Sequence, residues 1–267
     1  KPEWVKPMAD KAHQLGMRVS GHIPAYMTAS QAIDAGYNEI QHMNMLFLNF
    51  MSDTIDTRTP LRFTMVANHG AKLDLSSSAY LTFVKQLKAH QILIDPTLSI
   101  FENMFVATKG IPSPTYEMIV DRLPLINQRS YYKGGLPKPV DGSNRYDLAH
   151  ERMLDVVYDL YKKGVAIVPG TDGLPGFLYH RELELFVKAG IPVHEVLKMA
   201  TINAAEITGV AEAYGSIEVG KQADLILISG NPLERISDIR NVLWTTQGGY
   251  MYEAEALYAS MGIKNFN

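Results

Sequence analysis

A chain of 267 residues that is 46% hydrophobic and 20% charged can bury a sizeable core, which excludes a disordered or fibrous protein. A formal net charge of −3 and a pI near 6.3 offer no electrostatic attraction to nucleic acid or to an anionic membrane. With no cysteine, disulfides and thiolate ligands are excluded, so any bound metal must rest on His, Asp or Glu.

The chain opens without methionine on KPEWVKPMADKAHQLG, a helix bracketed by Pro2 and Gly16. We read Lys1 as an internal start. Targeting information is then lost with the missing part, and the compartment stays open between cytoplasm and periplasm or secretion. No apolar stretch approaches the roughly 20 residues of a membrane span. MRVSGH follows as a short strand ending at His22. Thr28 and Ser30 are candidate caps for the helix ASQAIDAG, and YNEIQH is a second strand ending at His42. SSSAYLTFVKQLKAHQ has helical spacing, and QILIDPTL is a third strand stopped at Asp95 and Pro96. Residues 101–145 break the alternation with prolines and glycines and read as an elaborated loop with a helix near Thr115 to Arg129. The amphipathic RYDLAHERMLDVVYDLYKKG then feeds a fourth strand, VAIVPGTD, ending at Asp172. This order implies a parallel sheet covered by helices.

After Asp172 come three helical pieces, HRELELFVKAG, PVHEVLKMA and TINAAEITG. Short β-rich runs between glycine turns then predict a small antiparallel unit over residues 211–254, closed by a helix in EALYASMG. The domain reading is therefore 1–210 as part of a barrel, 211–254 as a segment of a β-sandwich, and 255–267 as terminal helix and tail.

Strand ends of a parallel barrel converge at one face, so His22, His42 and Asp172 would share one spot and suit a divalent metal. Taken singly, a strand-end histidine is more often a buried residue bonded to backbone, and Asp172 a turn or N-cap aspartate. Three such placements favour the metal. Zinc fits an imidazole pair with a carboxylate, and Mn2+, Fe2+ or Co2+ are tolerated. Asp172 is also the candidate proton acceptor for a metal-activated water. His180 and Tyr26 are candidate substrate contacts, with Phe177 and Tyr179 as further pocket walls. Arg181 reads as an ion pair with a nearby Glu ahead of a carboxylate clamp, and Tyr131 and Tyr132 as a weak lid.

The order His22, His42 and GTD at Asp172, followed by HRELELFVKAGIPVHEVLKMATINAAEITG and GSIEVGKQADLILISGNPL, resembles the amidohydrolase superfamily in its imidazolonepropionase-like and prolidase-like branch. The likeness runs from His22 to Tyr252. It implies an α/β fold, a TIM-like barrel of eight strands of which this chain supplies about the last four, with a small β-sandwich. His22 and His42 match the histidines of the fifth and sixth strands and Asp172 the aspartate of the eighth, around one or two metal ions. The family's first-strand HxH and bridging lysine have no match here. The resemblance thus implies the C-terminal part of an enzyme that hydrolyses a C–N bond in an amide, cyclic amide or dipeptide, inactive when isolated. Its partners would be that small molecule and the N-terminal half of the same enzyme, or a second copy of the chain. Deamination on the same barrel and a non-catalytic interaction module remain alternatives. A phosphoester substrate is disfavoured because no Arg and Lys cluster stands at the strand ends.

Overall fold

Four short strands pair in parallel and in chain order: β1 (Ser20–Gly21), β2 (Glu39–Gln41), β3 (Leu93–Asp95) and β4 (Ala166–Ile167). The computed structural model describes residues 1–51 and 54–265. Register aligns Ile40, Ile94 and Ile167 in one row, each nearly inaccessible to solvent beneath the helices. The neighbouring row contains Ser20, Glu39, Leu93 and Ala166, of which Ser20 and Ala166 are exposed. Parallel sheets are normally covered on both faces, and this one is covered well on one only.

The crossovers supply the cover. Helix α1 (Val5–Gln14) precedes β1, and α2 (Ala29–Asp34) follows it. Thr28 accepts from the Gln31 N–H while the Gln31 side chain accepts from the Thr28 N–H, a capping box that leaves Ser30 inside the helix. Two helices unforeseen in the sequence follow β2: α3 (Met43–Leu48), buried at every position, and α4 (Leu61–His69). Helix α5 (Ser78–Ala89), capped by Ser77, buries Tyr80, Phe83, Val84 and Leu87.

The segment expected to be a loop from residue 101 opens instead with α6 (Leu98–Val106), whose Leu98, Phe101 and Phe105 are buried. The expected helix near Thr115 to Arg129 is reduced to a 3-10 turn at Val120–Arg122 and α7 (Leu125–Tyr131). Tyr131 lies with its ring centroid 4.1 Å from that of Tyr116, in a satellite cluster with Ile119, Leu123 and Leu178. Helix α8 (Arg145–Lys162) buries Met153, Val156, Val157 and Leu160 in the main core. At about 1.5–3 kcal/mol for each large apolar side chain, this stripe is a major source of stability.

Beyond β4 come α9 (Pro175–Ala189), α10 (Val193–Met199) and α11 (Ile202–Thr208). Helix α9 starts five residues ahead of the helical run read in the sequence, with Pro175 at its first turn. An ion-pair chain ties it to its neighbours. Arg181 donates from Nε and Nη2 to Glu102 at 2.8 and 2.7 Å and from Nη1 to Glu184 at 2.8 Å, and Arg240 donates to Glu184 at 2.6 Å. Arg181 is thus the ion-pair partner anticipated, with α6 at one end of the chain and the C-terminal unit at the other.

That unit is an antiparallel sheet, β5 (Leu225–Ile228), β6 (Val242–Gln247) and β7 (Tyr250–Glu253), followed by α12 (Ala254–Ser260). Among the described residues it is a single layer of three strands, and Leu225, Ile226, Leu227, Leu243, Tyr250 and Met251 are exposed. No helix among the described residues is long and apolar enough to cross a membrane.

Candidate metal centre

His22 is the first residue past β1, and its carbonyl accepts from the Tyr37 hydroxyl at 2.9 Å. His42 is the first past β2. Its N–H donates to the Asp95 carbonyl at 2.8 Å, extending the parallel pairing, and the chain then turns at once into α3. Asp172 follows the β4 run. The two imidazole centroids are 4.6 Å apart, and His42 Nε2 is 3.9 Å from Asp172 Oδ2. Residues separated by 20 and by 130 positions thus meet beyond the carboxyl ends of β1, β2 and β4.

Backbone strain marks the same place. His42 has φ 69° and Thr97 φ 46°, in the left-handed region that side chains beyond Cβ disfavour, at about 1–3 kcal/mol each. The two are bonded to one another, with His42 Nδ1 and Thr97 Oγ1 2.8 Å apart. A neutral ring that donates from Nδ1 to Thr97 keeps the Nε2 lone pair for a cation. Both rings are held neutral at ordinary pH. Burial, then Arg62, lower the pKa of His22, and burial with His22 pushes His42 down to about 4, although Asp172 acts in the opposite direction on each.

Asp95, at the end of β3, carries a signal the sequence did not isolate. Its Oδ1 is buried with no hydrogen-bond partner, and burial, Glu39 and Asp172 push its carboxyl up to about 7. The carboxyl packs against Gly170, where a Cβ would sit 2.2 Å from Oδ1, so only glycine fits before Asp172. Nearby, Glu182 of α9 accepts from the Leu98 and Ser99 N–H groups at 2.7 and 2.8 Å, and burial pushes it up to about 8 against those two bonds. It caps α6, whose own N-cap residue, Thr97, has its hydroxyl at His42.

Ligand atoms about 2.0–2.1 Å from a tetrahedral ion lie roughly 3.4 Å apart, close to the His42–Asp172 gap. Two neutral imidazoles and a carboxylate are suitable donors. Among the described residues, however, no three or more His, Asp or Glu side chains are gathered tightly enough to enclose an ion. By themselves the three donors do not form such a site.

The other candidates divide. Tyr26 (φ 65°) lines an open hollow of about 310 Å3 beside His22 and donates to Asp56 at 3.2 Å. His180 does not join the site. Its position on α9 sets it beside Arg240 and Glu184, and burial with Arg240 pushes it down to about 4. Phe177 stacks on Tyr258, away from this pocket, whereas Tyr179 donates to the Ala200 carbonyl and lies near enough to Asp95 and Glu182 for both to add to burial in pushing its hydroxyl up to about 12. The chain between β2 and β3 brings Arg58 and Arg62 to the hollow beside His22, cations that the sequence reading did not place near the site. Neither stands next to a strand, which is why strand reading overlooked them.

The solved structure of a Xaa-Pro dipeptidase with methionine bound in its active site superposes on 95% of this chain with TM-score 0.59 and 23% identity, over 49% of its own length. A. niger ochratoxinase does so with TM-score 0.59 and 22% identity, over 45% of its length. At these identities the likeness is one of fold, the TIM-like α/β barrel of such enzymes, and this chain spans about half of each. Among curated relatives, 5-methylthioadenosine/S-adenosylhomocysteine deaminase of Teredinibacter turnerae is 39% identical over 87 residues, 28% of this chain and 20% of that protein. A probable imidazolonepropionase of Xenopus tropicalis is 34% identical over 82 residues, 29% and 19% respectively. The family profile described as "Amidohydrolase family" matches residues 1–248, nearly the whole chain, which therefore belongs to that family.

Proposed function

We propose that this chain is the C-terminal part of a metal-dependent hydrolase that cleaves the C–N bond of an amide, cyclic amide or dipeptide, supplying about the last four of eight barrel strands. The meeting of His22, His42 and Asp172 at one face of the parallel sheet, past the ends of β1, β2 and β4, supports the reading above all else. His22, His42 and Asp172 would hold the cation, Zn2+ or else Mn2+, Fe2+ or Co2+, with one or two ions in the complete enzyme. When bound, such an ion supplies Lewis acidity to water and to a scissile carbonyl. Thr97 orients His42, and burial keeps both rings unprotonated so that they donate lone pairs. Asp172, with its side chain 61% accessible, can reach solvent and substrate and is the group to accept a proton from water and deliver it to the leaving nitrogen. Tyr26 stands at the substrate's side of His22.

The incomplete shell and the open face of the parallel sheet support a requirement for the N-terminal half of the same enzyme. In this reading the 267 residues alone bind metal weakly and do not turn over. The deaminase relatives support a second reading, attack of the same activated water on an amidine carbon of a heterocycle. The test is to assay the full-length enzyme with zinc or manganese against N-acyl amino acids and Xaa-Pro dipeptides. Turnover of at least one is expected, with Asp172→Asn lowering kcat by about 10²- to 10⁴-fold. Failure with every amide, together with ammonia release from an amine-bearing heterocycle, would move the assignment to deamination.

A further inference from the structure

A threonine ahead of a helix ordinarily sits in extended backbone and turns its hydroxyl back onto the second or third N–H of that helix. Thr97, ahead of α6, does neither. Its backbone is left-handed at φ 46° and ψ 49°, it makes no side-chain bond to α6, and its hydroxyl lies 2.8 Å from His42 Nδ1. The first two N–H groups of the helix, those of Leu98 and Ser99, are taken instead by Glu182 Oε1 and Oε2 at 2.7 and 2.8 Å. Unmatched donors are costly in a buried place, so a threonine diverted from capping needs such a substitute. Thr97, Leu98, Ser99 and Glu182 are each 1% exposed or less, which sets the exchange inside the packed body of the chain and away from the open face of the sheet.

The parts around it hold it rigid. His42 and Met43 donate from their N–H groups to the Asp95 and Pro96 carbonyls at 2.8 and 3.0 Å, so the turn before α6 is tied to the backbone of the imidazole it serves. Next to Glu182 in the chain, Arg181 grips Glu102 of α6 and fixes α9 against that helix. We infer that Glu182 is a positioning residue for the metal: by capping α6 in place of Thr97, it frees the threonine hydroxyl to hold His42 as the Nδ1–H tautomer, with the Nε2 lone pair left for the cation. This rests on the metal-hydrolase reading above. Without the carboxyl group, Thr97 relaxes to extended backbone and caps its own helix, and His42 Nδ1 loses its partner. Glutamine has the shape of Glu182 but one acceptor in place of two, and its amide nitrogen would face a backbone N–H.

The test uses the full-length enzyme with its histidines labelled with nitrogen-15. Without metal, the wild-type His42 ring is expected in the Nδ1–H form by NMR. Glu182→Gln and Thr97→Ala should each shift it toward the Nε2–H form and weaken zinc binding, measured by calorimetry, about 10- to 100-fold. Because both act through one hydroxyl, the double variant should bind zinc within about threefold of the weaker single variant. In Thr97→Ala the Leu98 and Ser99 amides should exchange with deuterium as slowly as in the wild type, since Glu182 holds them, and this measurement decides the matter even if Glu182→Gln does not fold. Losses that multiply in the double variant would overturn the inference, as would a His42 tautomer unmoved by Glu182→Gln, or fast exchange in Thr97→Ala. If His22→Ala binds zinc as tightly as the wild type, the metal reading fails, and the tautomer, read without metal, still decides the role of Glu182.

Discussion

At the scale of single residues, the pocket turns on atoms that no local pattern advertises. Asp95 reads in the sequence as the end of a strand, and Gly170 as a turn residue before Asp172. Together they are a contact in which a carboxyl group occupies the space of a missing side chain. Gly170→Ala is therefore expected to cost about 1–3 kcal/mol, the usual penalty of overpacking, in urea unfolding followed by circular dichroism. The loss should shrink in the double variant with Asp95→Ala, which removes every atom that the new methyl meets within 2.5 Å. Undiminished loss in the double variant would show that backbone strain, not the carboxyl, excludes a side chain there. His22 and His42 were legible because each closes an apolar run, and Asp172 for the same reason. Arg62 was not, since it reaches the site from a helix that begins 19 residues after His42, and proximity of that kind is decided by packing.

At the scale of elements, strands and capped helices followed from periodicity and turn chemistry, whereas α3, α4 and α6 did not. Met43 to Leu48 is a nearly uniform apolar run, and a helix buried on all sides has no periodic stripe to reveal it. Helix α6 was hidden by the prolines and glycines that follow it, and its start depends on a carboxylate contributed by α9. His180 shows the complementary error. Closeness to Asp172 in the chain suggested a shared pocket, but α9 carries it toward Arg240. The contacts among α6, α9 and the C-terminal unit pass through Arg181, which is paired at both ends. Arg181→Met would leave Glu102, 1% exposed, as a buried charge whose remaining bond comes from Thr115. A loss of about 3–5 kcal/mol is expected in chemical denaturation. A loss below 1 kcal/mol would mean that water replaces the guanidinium.

At the scale of the whole molecule, buried titratable groups set how stability responds to acid. His42, His150 and His180 are each pushed down to about 4 from 6.5, chiefly by burial, so the unfolded chain binds their protons first. Their contribution is full above pH 6.5 and is lost as pH falls toward 4, and His22 shifts the same way. Asp95 and Glu182, pushed up to about 7 and about 8, oppose this, because the folded chain binds their protons first and their contribution grows as pH falls toward 4. With His22, four imidazoles stand against two carboxyls, which leaves a net loss of stability as pH falls from about 6 toward about 4.5. Asp95→Asn should steepen that loss, as measured by urea midpoints at pH 5 and 6 with a chelator present, and an unchanged slope would overturn the upward shift of the Asp95 carboxyl. The ion-pair chain carries a longer consequence. Arg240, 3% exposed in the C-terminal unit, grips Glu184, which grips Arg181, which grips the same α6 whose leading Thr97 holds the imidazole of His42. A premature stop codon shortly before Arg240 would spare His22, His42 and Asp172 and still unmoor the pocket, so lesions in the tail and in the mouth should produce the same defect.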